Sequence, residues 1–216
     1  MAHSSQPTLK KLSLPNHFRY DSDNRTMNPI EDRPGATAWT WLNEPSCWNL
    51  TPSHFAVQSE ARTDFWRLTH DGDLRDNGHF YFHPVTGNFQ ATVTIEGQFK
   101  AQYDQSGIML RHNALCWMKC GIEFVDGTHY ASAVVTRQDS DWSTVPLAPL
   151  PNFRFTVKRH GDLVEVYHLD PHPGPTLIRQ ATIPFDATLQ LGLMTASPKG
   201  EGFETRFRDW QFQAEG

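Results

Sequence analysis

Cysteine is scarce in this chain of 216 residues: only Cys47, Cys116 and Cys120 are present. An odd, low count does not build a disulfide scaffold and reads as reduced thiols. Long apolar runs are missing as well. Nothing approaches the stretch of about 18 apolar residues that a membrane-spanning helix needs. Basic excess is absent, since 19 Lys and Arg stand against 24 Asp and Glu, for a net charge of −5. That balance argues against a nucleic-acid or anionic-membrane partner, because phosphate binding needs a basic patch. The start, Met1-Ala2-His3-Ser4-Ser5-Gln6-Pro7, has no basic region leading into an apolar one. It does not read as a signal peptide, and the expected location is cytoplasmic. In such a location the sequons Asn24-Arg25-Thr26 and Asn49-Leu50-Thr51 carry no meaning. Helical periodicity is missing too, and with it a strand–turn–helix unit for a phosphate loop or a serine nucleophile elbow.

Aromatic residues are plentiful: 14 Phe, 7 Trp and 5 Tyr. Together with 38% hydrophobic residues they exclude disorder throughout. Residues 1–35 are polar and interrupted by Pro7, Pro15, Pro29 and Pro34, and are expected to form a partly ordered arm. From Trp39 onward, short runs rich in Val, Ile, Phe, Thr and Tyr alternate with Gly, Asp, Asn and Pro clusters. This pattern predicts fourteen strands and one domain over 36–216. Asp126-Gly127 and Gly161-Asp162 mark hairpins, and Asp76-Asn77-Gly78 and Thr86-Gly87-Asn88 mark turns. Fourteen strands without helices must pair into two packed sheets, an all-β antiparallel sandwich of jelly-roll type.

Strand alternation then sorts side chains by face. Between Cys116 and Phe124, Met118, Cys120, Ile122 and Phe124 form the core set. Trp117, Lys119, Gly121 and Glu123 form the other. If Ile108 and Leu110 also face the core, Gln105, Met109 and Arg111 share the outer face with Trp117, Lys119 and Glu123. The parity of Tyr130–Thr136 is ambiguous, which leaves Thr136 available to the same face. A solvated outer sheet face with a Lys119–Glu123 ion pair explains this set blandly. The tryptophans Trp66, Trp117 and Trp142 near these strands favour a binding surface instead. Aromatic plates beside amides and carboxylates suit a neutral polar ligand such as a sugar. The candidate ligand-binding set is therefore Trp66, Gln105, Met109, Arg111, Trp117, Lys119, Glu123, Thr136 and Trp142.

The run Tyr103-Asp104-Gln105-Ser106-Gly107-Ile108-Met109-Leu110-Arg111, followed by Trp117-Met118-Lys119-Cys120-Gly121-Ile122-Glu123 and Ser140-Asp141-Trp142-Ser143, resembles a known pattern. Asp64-Phe65-Trp66 and Ser197-Pro198 agree with it. The pattern is that of the domain-of-unknown-function family of the fungal regulation-of-enolase protein, over about Trp39 to Phe212. The resemblance implies a concanavalin A-like lectin/glucanase sandwich and carbohydrate binding, with enolase as a suggested protein partner. Ser106 stands where the family has alanine, and Cys120 where it has a small residue. The family offers no agreed catalytic residues.

Two other functions stay open. Glycoside hydrolysis needs a carboxylate pair. Of the motif carboxylates Asp104, Glu123 and Asp141, only Glu123 clearly projects with the polar set, so hydrolysis is disfavoured. A cofactor-free acid/base enzyme, an isomerase or cyclase, could use Glu123, Lys119 or His70 in the same groove. A protein-interaction regulator of a glycolytic enzyme is the third reading. His79 and His83 share a strand face, as His168 and His172 would, but neither pair has a third ligand nearby, so no metal is expected. No cofactor is expected either. Ser140-Asp141-Trp142-Ser143 reads equally as a structural turn or as a ligand lid carrying Trp142.

Overall fold

The computed structural model describes residues 38–169, 174–185 and 188–215. The expected arm over 1–35 lies outside them, as does His172. The described residues form sixteen strands and no helix. In chain order they are β1 (Thr40–Leu42), β2 (Trp48–Leu50), β3 (Phe55–Gln58), β4 (Phe65–Arg67), β5 (Leu74–Asp76), β6 (His79–Thr86), β7 (Asn88–Gly97) and β8 (Gln105–Asn113). They continue with β9 (Cys116–Val125), β10 (Thr128–Arg137), β11 (Asp139–Pro146), β12 (Phe153–His160), β13 (Leu163–Leu169), β14 (Pro175–Thr182), β15 (Thr188–Ala196) and β16 (Glu204–Glu215).

Two seven-stranded antiparallel sheets make the sandwich. One has the order β1-β6-β15-β8-β9-β10-β11, the other β14-β13-β12-β7-β16-β3-β2, and β4 with β5 forms a separate hairpin. The late strands β15 and β16 insert between early ones, which is the crossing that closes a jelly roll. Alternation places Phe89, Ala91, Val93 and Ile95 of β7 inside, facing Ile108 and Leu110 of β8 and Met118, Cys120 and Ile122 of β9. The hydroxyls of Ser106, Thr195 and Thr205 meet in this core. Ser106 Oγ is 2.9 Å from Thr195 Oγ1 and 2.7 Å from Thr205 Oγ1, so none is buried unpaired.

Two strands exceed the sequence expectation. Leu74–Asp76 is short and charged, and Asp139–Pro146 is mostly polar, with Trp142, Val145 and Pro146 as its apolar residues. Neither shows the apolar alternation that marks a half-buried strand. The motif Ser140-Asp141-Trp142-Ser143, read as a turn or a lid, lies in β11. It pairs with β10 along the edge of the sheet, with Trp142 opposite Val134 and Ser140 opposite Thr136. Strand β6 also runs on past Phe82 through Pro84 to Thr86. The pairing of β1 with β6 ends at Phe82, two residues before Pro84, which has no amide hydrogen to give to a ladder.

Candidate functional site

The face of the β8–β9–β10 sheet turned away from the core is divided in two by the β4–β5 hairpin. Over one half the hairpin presses Phe65 into a second apolar cluster with Phe80, Met109, Trp117, Val134, Met194 and Ala196. Trp117 is 1% exposed and meets Phe65 edge to face at 6.3 Å. Arg111 is buried beside it and grips Asp76 of β5 through both terminal guanidinium nitrogens, each bond 2.7 Å. Thr136 bonds Ser140 Oγ at 2.9 Å, and that oxygen accepts the Arg67 amide at 3.0 Å. Met109, Arg111, Trp117 and Thr136, expected on an open groove, are thus roofed over. The hairpin covers them, and a three-residue strand gives too little periodic signal to foresee it.

The other half stays open as a cleft of about 910 Å³. Gln105, Lys119 and Glu123 form its floor. Asp141 and Trp142 of β11 and Trp66, His70 and Arg75 of the hairpin line its sides, together with Tyr103 and Lys199. Trp66, Gln105, Lys119, Glu123 and Trp142 of the expected ligand set are brought together here, as is His70. Register explains the floor: Gln105 lies opposite Glu123, and Met109 opposite Lys119. Between these rows Gly107 faces Gly121. A Cβ on Gly107 would sit 1.9 Å from the carbonyl oxygen of Cys120, and one on Gly121 2.2 Å from that of Ser106. Only glycine permits that approach, and it leaves the floor bare of side chains at this point.

Lys119 does not pair with Glu123, as expected from the sequence. Its Nζ donates to Asp64 Oδ1 at 3.1 Å and to the Phe65 carbonyl at 2.6 Å. Both partners of this ion pair are closed off, at 5% exposure for Lys119 and 7% for Asp64. Asp64 Oδ1 also accepts the Phe65 amide at 2.8 Å. Arg75 lies 3.9 Å from the other oxygen and binds Asp71 and Asp73. The hydrogen bond from Arg75 holds the Asp71 carboxyl below its usual value.

Glu123, 6% exposed, has no such cation in contact among the described residues. Ser132 Oγ donates to its Oε2 at 2.6 Å and Trp142 Nε1 to the same oxygen at 2.9 Å. Burial pushes the Glu123 carboxyl above the ordinary glutamate range. The charge of Lys119 and these two hydrogen bonds oppose that push without reversing it. Trp142 itself is 40% exposed, so its ring borders both the buried carboxyl and solvent.

The remaining candidates have structural roles. Asp104 accepts the amides of Lys100 and Ala101 and the Ser197 hydroxyl, the last at 2.6 Å. Asp141 pairs with Arg179 at 2.7 Å. His79 accepts the Glu60 amide at Nε2 and is 2.7 Å from the Asn43 carbonyl at Nδ1, which makes Nδ1 the donor. His83 packs on Trp39 and Phe212. Among the described residues no group of three or more His, Cys, Asp and Glu is placed to hold a metal ion.

Residues 41–215 match the family described as "Protein of unknown function (DUF1349)". The chain belongs to this family. It is 34% identical over 178 residues to Regulation of enolase protein 1 of Saccharomyces cerevisiae, covering 81% of this chain and 89% of that protein. A crystal structure of a functionally unknown protein from the same yeast superposes with a TM-score of 0.78 at 31% identity, covering 82% of this chain and 97% of that one. The GH43 protein BlXynB of Bacillus licheniformis, in a mutant form, superposes with a TM-score of 0.67 at 14% identity, over 93% of this chain and 41% of that one. The sandwich is thus similar to part of a glycoside-hydrolase structure. At that identity the likeness concerns the fold alone. No helix among the described residues is long and apolar enough to cross a membrane.

Proposed function

We propose that the cleft binds a small polar ligand, a carbohydrate or a sugar-like metabolite. The observation that carries this reading is the wall at Trp142, where a half-open indole ring stands over a buried carboxyl that its own N–H holds. The ring offers a stacking plate for the C–H face of a sugar. Gln105 and Glu123 offer polar atoms at the floor for its hydroxyls. Trp66 supplies a second aromatic side, fixed by its own indole bond to the Thr69 carbonyl at 2.8 Å. The volume of about 910 Å³ suits a ligand of one to a few rings.

Titration with D-glucose, D-xylose and their short oligomers, followed by tryptophan fluorescence, tests the reading. A saturable change that Trp142→Ala abolishes supports it. Silence in these titrations and on a glycan array removes it.

The raised Glu123 carboxyl supports a second reading, acid/base turnover of a small organic molecule in the same cleft with Glu123 as the acid. Turnover of a candidate substrate that Glu123→Gln leaves untouched would end that reading. The name of the yeast relative brings a third, a regulatory contact with enolase. Co-purification of enolase with the tagged chain tests it, and a clean preparation argues against it.

A further inference from the structure

Glu123 has one oxygen satisfied and one bare. Ser132 Oγ and Trp142 Nε1 donate to Oε2 at 2.6 and 2.9 Å, and the same indole lies 3.1 Å from Ser132 Oγ, closing a triangle. Oε1 takes no donor among the described residues, although the side chain lines the cleft. Both donated bonds favour the ionised carboxylate. Burial with no cation in contact among the described residues makes that charge costly. A cationic donor at Oε1 would relieve the cost and form a charge-assisted hydrogen bond.

The charges around it are already paired with one another. Lys119 Nζ is held by Asp64 and the Phe65 carbonyl, Arg75 by Asp71 and Asp73, and Asp141 by Arg179. Lys199 makes no ion pair among the described residues, but it is exposed, and water and salt screen its charge. It sets the preference of whatever part of a ligand lies beside it, whereas Glu123 sets that of the floor. Four carboxylates line the cleft against three Lys and Arg side chains, so its charge balance leans negative. The aromatic surfaces favour a cation as well. With its N–H engaged by the carboxylate, Trp142 keeps its ring for a ligand, and the ring is 40% exposed. Tyr103 meets it edge to face at 6.2 Å, and Trp66 lines the same cleft. Ring faces, indole above all, attract cations.

We propose that Glu123 Oε1 receives a protonated amine: the ligand is an amino sugar, or a similarly hydroxylated amine, whose ammonium donates to Oε1 beside the Trp142 ring. The inference rests on the binding reading above and specifies its ligand class. The upward push that burial exerts on the Glu123 carboxyl agrees with it, since that push marks a charge short of a counter-ion.

The test compares D-glucose with D-glucosamine, 6-amino-6-deoxy-D-glucose and D-glucuronate, which exchange one hydroxyl or hydroxymethyl for an amine, an aminomethyl or a carboxylate. Titration calorimetry is run at about pH 7, where the amines are mostly protonated. At least one amino sugar is expected to bind about tenfold or more tightly than glucose, and Glu123→Gln should bring that ratio to about one. In the wild type, the Trp142 indole N–H cross-peak, bonded to the same carboxylate, should shift saturably with that amino sugar. This measurement stands even if the variant does not fold. Glucose binding as tightly as both amino sugars, glucuronate binding tightest, or an indole peak that stays in place overturns the inference and leaves the binding reading standing. If no sugar binds, the binding reading fails, and methylammonium chloride is titrated against sodium chloride at equal ionic strength. A saturable indole shift with methylammonium alone sustains Oε1 as an amine receptor, and its absence overturns the inference.

Discussion

Lys119 Nζ lies 3.1 Å from Asp64 Oδ1 with both side chains largely buried, and this contact ties the hairpin to the floor of the cleft. Removing one partner leaves the other charged and buried. Lys119→Met should therefore cost about 3–5 kcal/mol of stability. The double variant with Asp64→Asn should recover much of it. Urea unfolding of the four proteins gives the coupling directly, and additive losses would show that the pair is not a unit.

The hairpin has a second anchor in the forked bond from Arg111 to Asp76. Arg111→Met should loosen the hairpin before the sandwich. Amide exchange in β4 and β5 should accelerate while that in β7 and β12 stays slow. Equal acceleration everywhere would show that the hairpin is part of the main cooperative unit.

Glu123 gives a pH dependence of definite sign. Its carboxyl is pushed upward in the folded protein, so the folded state holds this proton when the unfolded state has already released it. Stability from this source is complete below the ordinary glutamate range and is lost as pH rises through the raised folded value. Glu123→Gln should flatten this part of the profile of melting temperature against pH. An unchanged slope in the variant would assign the dependence to other groups.

Two of the three thiols, Cys47 and Cys120, should separate by reactivity. Cys47 is exposed, whereas Cys120 is buried and its thiol is pushed up to about 12. A disulfide reagent at neutral pH should modify Cys47 fast and Cys120 only on unfolding. Fast modification of Cys120 in the native protein would contradict the packing of β9 against β8.

The facing glycines make a further test. Gly107→Ala would drive a methyl group into the backbone of β9, and overpacking of this kind costs about 1–3 kcal/mol. Thermal unfolding checks the loss. A neutral substitution would mean that the two strands can separate at no cost.

The alternation of residues along β8 and β9 foretold which side chains face the core, because a strand has a period of two and burial selects one face. It therefore placed Met118, Cys120 and Ile122 inside and Lys119 and Glu123 outside, and it predicted the sandwich. It carried no information on what lies over the outer face. Trp117 and Glu123 have the same parity on the same strand, yet the first is sealed beneath Phe65 and the second opens on the cleft. The β11 motif shows the same limit from the other side. Its polar residues read as a turn or a lid, but hydrogen bonding along a sheet edge needs no apolar alternation. The two-sheet architecture and the core face of each long strand follow from the local pattern, since hydrophobic burial acts on every strand separately. The position of the hairpin and the transfer of Lys119 from Glu123 to Asp64 depend on residues far apart in the chain, and the two bonds on a single oxygen of Glu123 depend on the register of three neighbouring strands, so only the folded arrangement decides them.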